Sequence, residues 1–163
     1  MTDARTATCL AAALVAGILS ACAGSFAHRA TATDPMQQRR EAAIAAADWS
    51  ARQDVSIEML DYGYRPRELR LKAGQPYRLT LVNNGSVSHY FTAPEFFAGV
   101  AARKAEVPRQ VEVKAAVFTS FEVHGRGGTL DFYFIPLEKG RFRAHCHIKD
   151  HLPLGIEGIL VVE

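Results

Sequence analysis

Charge of one sign is scarce: 19 lysines and arginines against 17 aspartates and glutamates leave a formal +2 over 163 residues. So small a surplus gives no electrostatic footprint for nucleic acid. Charged residues are 22% and hydrophobic residues 48% of the chain, close to the globular average, which excludes wholesale disorder. Cysteine is sparse as well, and three of them leave one over after any single disulfide. The uncharged apolar run at residues 7–19 is too short to span a bilayer. There is no internal repeat, no low-complexity segment, no Ser-His-Asp arrangement, no paired-carboxylate motif and no phosphate-binding loop. The glycines around Arg126 do not follow the spacing of one. The length suits one domain with an appendage.

What is present begins with an address. Residues 7–19 follow Arg5 and lead into small residues, the arrangement of a secretory signal. They end in Leu19-Ser20-Ala21-Cys22, which resembles the bacterial lipoprotein cleavage box: an aliphatic residue, two small ones, then cysteine. That resemblance implies that the Cys22 thiol is lipidated and becomes the mature N-terminus, placing the protein in the periplasm or cell envelope on a membrane surface. Ala21 and Ala23 also offer a plain signal-cleavage site. On either reading Cys9 leaves with residues 1–21, and Cys146 stays as the thiol without an evident disulfide partner.

Residues 22–33 are small and polar, suited to a tether. Asp34-Pro35-Met36-Gln37 then reads as a helix start, with a capping aspartate, proline in the first turn and a capping-box glutamine. An alanine-rich stretch carries the expected helix through residues 34–51, a peripheral helix expected to pack through Ile44 and Trp49, its only bulky apolar residues. From Val55 onward the period becomes two. Tyr77, Leu79 and Leu81 alternate with Arg78 and Thr80, and Leu130, Phe132 and Phe134 alternate with Asp131 and Tyr133. Turn residues such as Asn83-Asn84-Gly85 and Lys139-Gly140 separate the runs. Seven or eight short strands at this spacing predict an all-β, antiparallel sandwich over residues 52–163. The spacing of Phe96, Phe97, Val100 and Ala101 predicts a short inserted helix over residues 94–105.

Chemistry concentrates in Phe142-Arg143-Ala144-His145-Cys146-His147-Ile148-Lys149-Asp150-His151. Strand alternation turns Phe142, Ala144 and Cys146 inward and Arg143 and His145 outward. A thiolate at a strand end and His151 across a short loop can converge on one ion, and His89, after the Asn83-Asn84-Gly85 turn, is the candidate second imidazole. Thiolate with imidazole selects copper, zinc or iron, and a trigonal His₂Cys set is the electron-transfer copper arrangement.

Residues 55–163 resemble the cupredoxin, or blue-copper, family. Tyr64-x-Pro66, Leu71-x-Ala73-Gly74 and Leu81-x-Asn83 resemble its opening strands, His89-x-Phe91 its first ligand strand, and residues 142–162 its ligand loop and last strand. The resemblance implies a Greek-key β-sandwich holding one mononuclear type 1-like copper on His89, Cys146 and His151. His145-Cys146-His147-x-x-x-His151 is also similar to the ligand motif of multicopper oxidases. Two departures matter. Gly155-Ile156-Glu157-Gly158 puts Ile156 where the family usually has an axial methionine; Ile156 cannot coordinate, which should raise the reduction potential. The chain has six histidines and no His-x-His besides the pair around Cys146, so a trinuclear oxygen-reducing cluster within one chain is not expected.

The implied function is one-electron transfer with a redox partner protein, and no reaction on a substrate. Copper capture and delivery in the cell envelope is the alternative, with His145 and His147 as a possible second metal site. A copper oxidase or reductase assembled from subunits ranks last. Met59 is expected to pack in the first strand, His124 to be a loop residue, and the role of Tyr90, beside the first ligand, is open. Arg65, Arg67, Arg70, Lys72 and Arg78 are expected to form a solvated basic face.

Overall fold

The computed structural model describes residues 34–148 and 156–163. The expected signal, the tether, Cys22 and the loop carrying His151 lie outside the described residues. Chain order is helix α1 (Pro35–Ala46), a 3₁₀ turn (Trp49–Ala51), and strands β1 (Gln53–Leu60), β2 (Gly63–Arg65), β3 (Glu68–Leu71), β4 (Tyr77–Asn83) and β5 (His89–Thr92). Helix α2 (Pro94–Ala98) precedes β6 (Val100–Val107), β7 (Val111–Val113), β8 (Ser120–Val123), β9 (Gly128–Pro136), β10 (Gly140–His145) and β11 (Glu157–Val162). Among the described residues no helix is long and apolar enough to cross a membrane.

The strands form two sheets, β2-β1-β4-β9-β6-β7 and β3-β11-β10-β5-β8, as the period-two reading predicts. Most neighbours run antiparallel, while β1 with β4 and β3 with β11 run parallel. Each strand with one face on the core alternates accordingly. In β4, Tyr77, Leu79 and Leu81 are buried and Arg78, Thr80 and Val82 are half-buried. Between the sheets lies an aromatic core in which Phe91, Phe96, Phe97, Phe132 and Phe134 are fully buried. Phe132 and Phe134 stack at 4.9 Å, and Phe97 meets Phe132 edge-on at 5.5 Å and Phe121 at 5.2 Å. Met59 is buried in β1, as expected.

Three local expectations need correction. The inserted helix ends at Ala98, and residues 100–107 are strand β6. The helical spacing was coincidental: Phe96 and Phe97 are buried by α2, whereas Val100, Ala101 and Ala102 are all buried because this end of β6 is covered on both faces. Gly99, whose N–H bonds to the Phe96 carbonyl at 3.0 Å, marks the boundary. The N-terminal helix also stops early, at Ala46, with a separate 3₁₀ turn at Trp49. Asp34 does cap it, accepting the Met36 amide at 3.2 Å, but Gln37 bonds to Glu41 at 2.8 Å rather than closing a capping box.

The third correction concerns how α1 is held. Ile44 and Trp49 are only half-buried, and the single buried residue of the helix is Arg40. Its guanidinium donates to the carbonyls of Val100 at 3.1 Å and Ala98 at 2.6 Å, where α2 hands over to β6. Arg39 adds a bond to the Leu137 carbonyl at 2.9 Å and a pair with Glu138. A charged donor on buried carbonyls is worth more than a neutral one and leaves them unsatisfied when removed. Replacing Arg40 with methionine is therefore expected to cost about 2 kcal/mol of unfolding free energy in urea titration. Amide exchange should accelerate first in α1; unchanged exchange there would show that the helix is held by other contacts.

Candidate metal centre

The site is built at one end of the five-stranded sheet. The β10–β5 ladder pairs His145 with Thr92. Continuing that antiparallel register places Cys146 opposite Phe91 and His147 opposite Tyr90, with His89 diagonal to Cys146. Because successive residues face opposite sides, His89, Phe91 and Cys146 point inward and Tyr90, Thr92 and His147 outward. His89 and Cys146 are both completely buried. Their Nδ1 and Sγ atoms lie 3.9 Å apart.

The two donors fit a metal ion. Typical metal–nitrogen and metal–sulfur bonds of about 2.0 and 2.3 Å sum to more than 3.9 Å, so one ion can bond both without moving either residue. The sulfur accepts the Tyr90 backbone N–H at 3.4 Å. Tyr90 thus braces the sulfur through its backbone, which answers the question its position raised. The Cys146 amide bonds to the Ile156 carbonyl at 3.0 Å, placing the buried Ile156 side by side with the cysteine. Among the described residues no third His, Cys, Asp or Glu completes a metal-type cluster. The remaining expected donor, His151, lies outside them.

The imidazole of His89 is held from behind. Its Nε2 lies 3.1 Å from Asp61 Oδ1, in the turn between β1 and β2, and the same oxygen accepts the Ser86 amide at 2.9 Å. These bonds, the Ser86 amide foremost and His89 next, hold the Asp61 carboxyl below the usual carboxylate range. Gly85 makes room for the approach: a Cβ there would stand 2.6 Å from both Asp61 Oδ1 and His89 Nε2. A groove of about 530 Å³, lined in part by Asp61, Tyr62, Tyr64, Arg65 and Arg67, opens on this side.

Asn83 sets the loop that carries His89. Its buried amide group donates to the carbonyls of Val87 at 2.9 Å and Val123 at 2.7 Å, and its Oδ1 accepts the Gly85 amide at 2.9 Å. From β2, the Tyr64 hydroxyl donates to the Tyr90 carbonyl; burial pushes its phenol strongly upward, so it stays protonated and able to donate. Asn83, Asp61 and Gly85 escaped the sequence reading as functional residues. The only signals were turn signals, Asn83-Asn84-Gly85 and Asp61-Tyr62-Gly63, and neither says what the turn meets.

The flanking histidines belong to the other face. His147 is exposed, bonds to Thr92 Oγ1 at 2.7 Å and packs on the Tyr90 ring at 4.0 Å. Thr92 in turn bonds to Ser120 at 2.7 Å, and the Tyr90 hydroxyl to Glu122 at 2.8 Å. His145 is half-buried, and its pKa is lowered by that burial and then by the positive charges of Arg143 and His147. His124 is an exposed loop residue at 3.1 Å from Ser88 Oγ. Of the expected basic face, Arg65, Arg70 and Arg78 pair with Glu58, Glu163 and Asp54, which neutralises much of it. Removing the Asn83 side chain as Asn83→Ala strands the two carbonyls and an amide and is expected to cost about 3 kcal/mol of stability in denaturant titration. An Asn83→Asp variant, which keeps the Gly85 bond but turns a carboxylate oxygen toward both carbonyls, should cost at least as much; equality with wild type would remove Asn83 from the loop's support.

Comparison with known proteins bears on the fold. Among solved structures, a Cu-containing nitrite reductase from Thermus scotoductus SA-01 matches with a TM-score of 0.52 at 10% identity, over 68% of this chain and 31% of that one. A multicopper oxidase from Campylobacter jejuni matches at 0.50 with 17% identity, over 68% of this chain and 30% of its own. A dithionite-reduced auracyanin from the photosynthetic bacterium Roseiflexus castenholzii is covered to 98% by 69% of this chain, at 17% identity and a TM-score of 0.49. At such identities the first two of these matches speak for the fold alone. No curated protein matches the sequence. The model of the cupredoxin-like domain matches residues 35–162, nearly the whole of the described chain. The chain belongs to the cupredoxin-like domain family.

Proposed function

We propose that this protein is an exported electron carrier that holds one copper ion on His89, Cys146 and His151. The observation that carries the reading is the buried pair of His89 and Cys146, with Nδ1 and Sγ 3.9 Å apart and a backbone amide on the sulfur. Members of this fold family bind copper, and a thiolate–imidazole donor set suits it. Copper held there would supply a one-electron couple. The chain's own part is to keep the donors rigid and dry. His89 and Cys146 have no solvent exposure, and Ile156 presents hydrocarbon where a thioether would otherwise stand. Asn83 fixes the loop before His89, and Tyr64 and Tyr90 fix the strand after it. A rigid donor set changes little between oxidation states.

The same pair would serve copper capture and delivery, with His145 and His147 as additional donors. Two features favour the carrier. The His147 imidazole is already engaged by Thr92 and Tyr90, and strand alternation sets it on the face away from Cys146. The lipoprotein-type box at Cys22 supports a place on a membrane surface in the cell envelope, where redox partners or copper donors would be met.

Copper titration of the mature protein is expected to saturate at one ion per chain and to produce an intense visible thiolate-to-copper band. Cys146→Ala should abolish the band. Its absence from copper-loaded wild type would overturn the carrier reading, and saturation at two ions falling to one in His147→Ala would establish capture instead. Ile156→Met is expected to lower the reduction potential, read by titration against mediators of known potential. For the anchor, Cys22→Ala should move the protein from the membrane fraction to the soluble one and end incorporation of labelled fatty acid; a wild type that takes up no label would show plain cleavage.

A further inference from the structure

His89 has no solvent exposure, so both ring nitrogens must find partners inside the protein, and each of them can either donate or accept. Asp61 decides which does which. An ionised carboxylate only accepts, so the Nε2 facing Oδ1 at 3.1 Å must carry the ring proton. Nδ1 is then left with its lone pair toward Cys146 Sγ. The placement of Asp61 is itself enforced: the Ser86 amide holds Oδ1 at 2.9 Å, and glycine at 85 leaves open the space where a Cβ would stand only 2.6 Å from both Oδ1 and Nε2.

We propose that Asp61 is the positioning residue of the centre, fixing the His89 tautomer in which Nδ1 presents its lone pair toward Cys146 and placing a negative charge directly behind that ligand. The first half concerns the protein alone; the second rests on the copper reading above. A carboxylate hydrogen-bonded to a ligating imidazole raises the basicity of the ligand, and the nearby negative charge stabilises the more positive oxidation state. Asp61 therefore opposes Ile156, one favouring Cu(II) and the other Cu(I). The carboxylate is about one-third exposed and lines the groove of about 530 Å³, so the buried ligand communicates with solvent through this residue.

Two variants separate the two halves. Asp61→Asn keeps an acceptor oxygen and loses the charge; Asp61→Leu loses both. In metal-free protein, nitrogen-15 NMR of the imidazoles is expected to find the His89 proton on Nε2 in wild type and in Asp61→Asn. In Asp61→Leu the single tautomer should be lost while the fold, checked by far-ultraviolet dichroism, is retained. A His89 proton on Nδ1 in wild type, or an unchanged Nε2 tautomer in folded Asp61→Leu, would overturn the positioning role whether or not copper binds. In copper-loaded protein, Asp61→Asn should increase the Cu(I)/Cu(II) ratio at a fixed applied potential about tenfold, a shift of about 59 mV for one electron. An unchanged ratio would overturn the charge effect. Failure of wild type to take up copper would overturn the charge effect together with the carrier reading, and leave the tautomer result to stand or fall by itself.

Discussion

A buried imidazole constrains everything around it. His89 cannot leave either nitrogen unsatisfied without a cost of about 1–3 kcal/mol, and water does not reach it. One nitrogen is answered by Asp61 from the β1–β2 turn, and the other faces Cys146 from the end of β10. Those two elements are in different sheets, so the ring joins the sandwich across its core. The loop before His89 must then be placed to within a few tenths of an ångström, which accounts for Asn83 spending all three of its hydrogen bonds there and for glycine at residue 85.

The β5–β10 ladder supplies the second constraint. Period-two alternation gives one strand pair two unrelated surfaces, an inner one of His89, Phe91 and Cys146 and an outer one of Tyr90, Thr92 and His147. A cluster of three histidines and a cysteine within seven residues looks like one site when written as a line. Folded, His147 is drawn into a polar patch with Thr92, Ser120, Tyr90 and Glu122, and only Cys146 of the tripeptide turns toward His89.

How much of this was legible in the sequence follows from the range of each interaction. Strand periodicity is local, so the sandwich, the inward Cys146 and the inward Met59 could all be read from the residues alone. The fault at residues 94–105 arose where two elements bury adjacent apolar residues for different reasons; Gly99 was the available warning. Asp61 was illegible because an aspartate in a turn is ordinary, and what distinguishes it is a ring 28 residues away in another sheet. Arg40 was illegible for the converse reason: arginine is so seldom buried that no pattern reading would seat a helix on it, and its partners are carbonyls, which every residue possesses.

The seat of α1 has a mechanical meaning. Strand β9 begins at Gly128, beside Asn83 and the His89 loop, and ends at Pro136, paired with Val100 where Arg40 docks. Its nine residues separate the two places by roughly 25 Å at the usual strand rise. Any pull transmitted along the chain that precedes Pro35 enters through α1, and Arg39 and Arg40 pass it to the far end of the sandwich, at Leu137 and Val100. That docking point lies a full strand length from the sulfur and imidazole, so a load on α1 is taken up by Arg39 and Arg40 without the donor atoms changing their spacing.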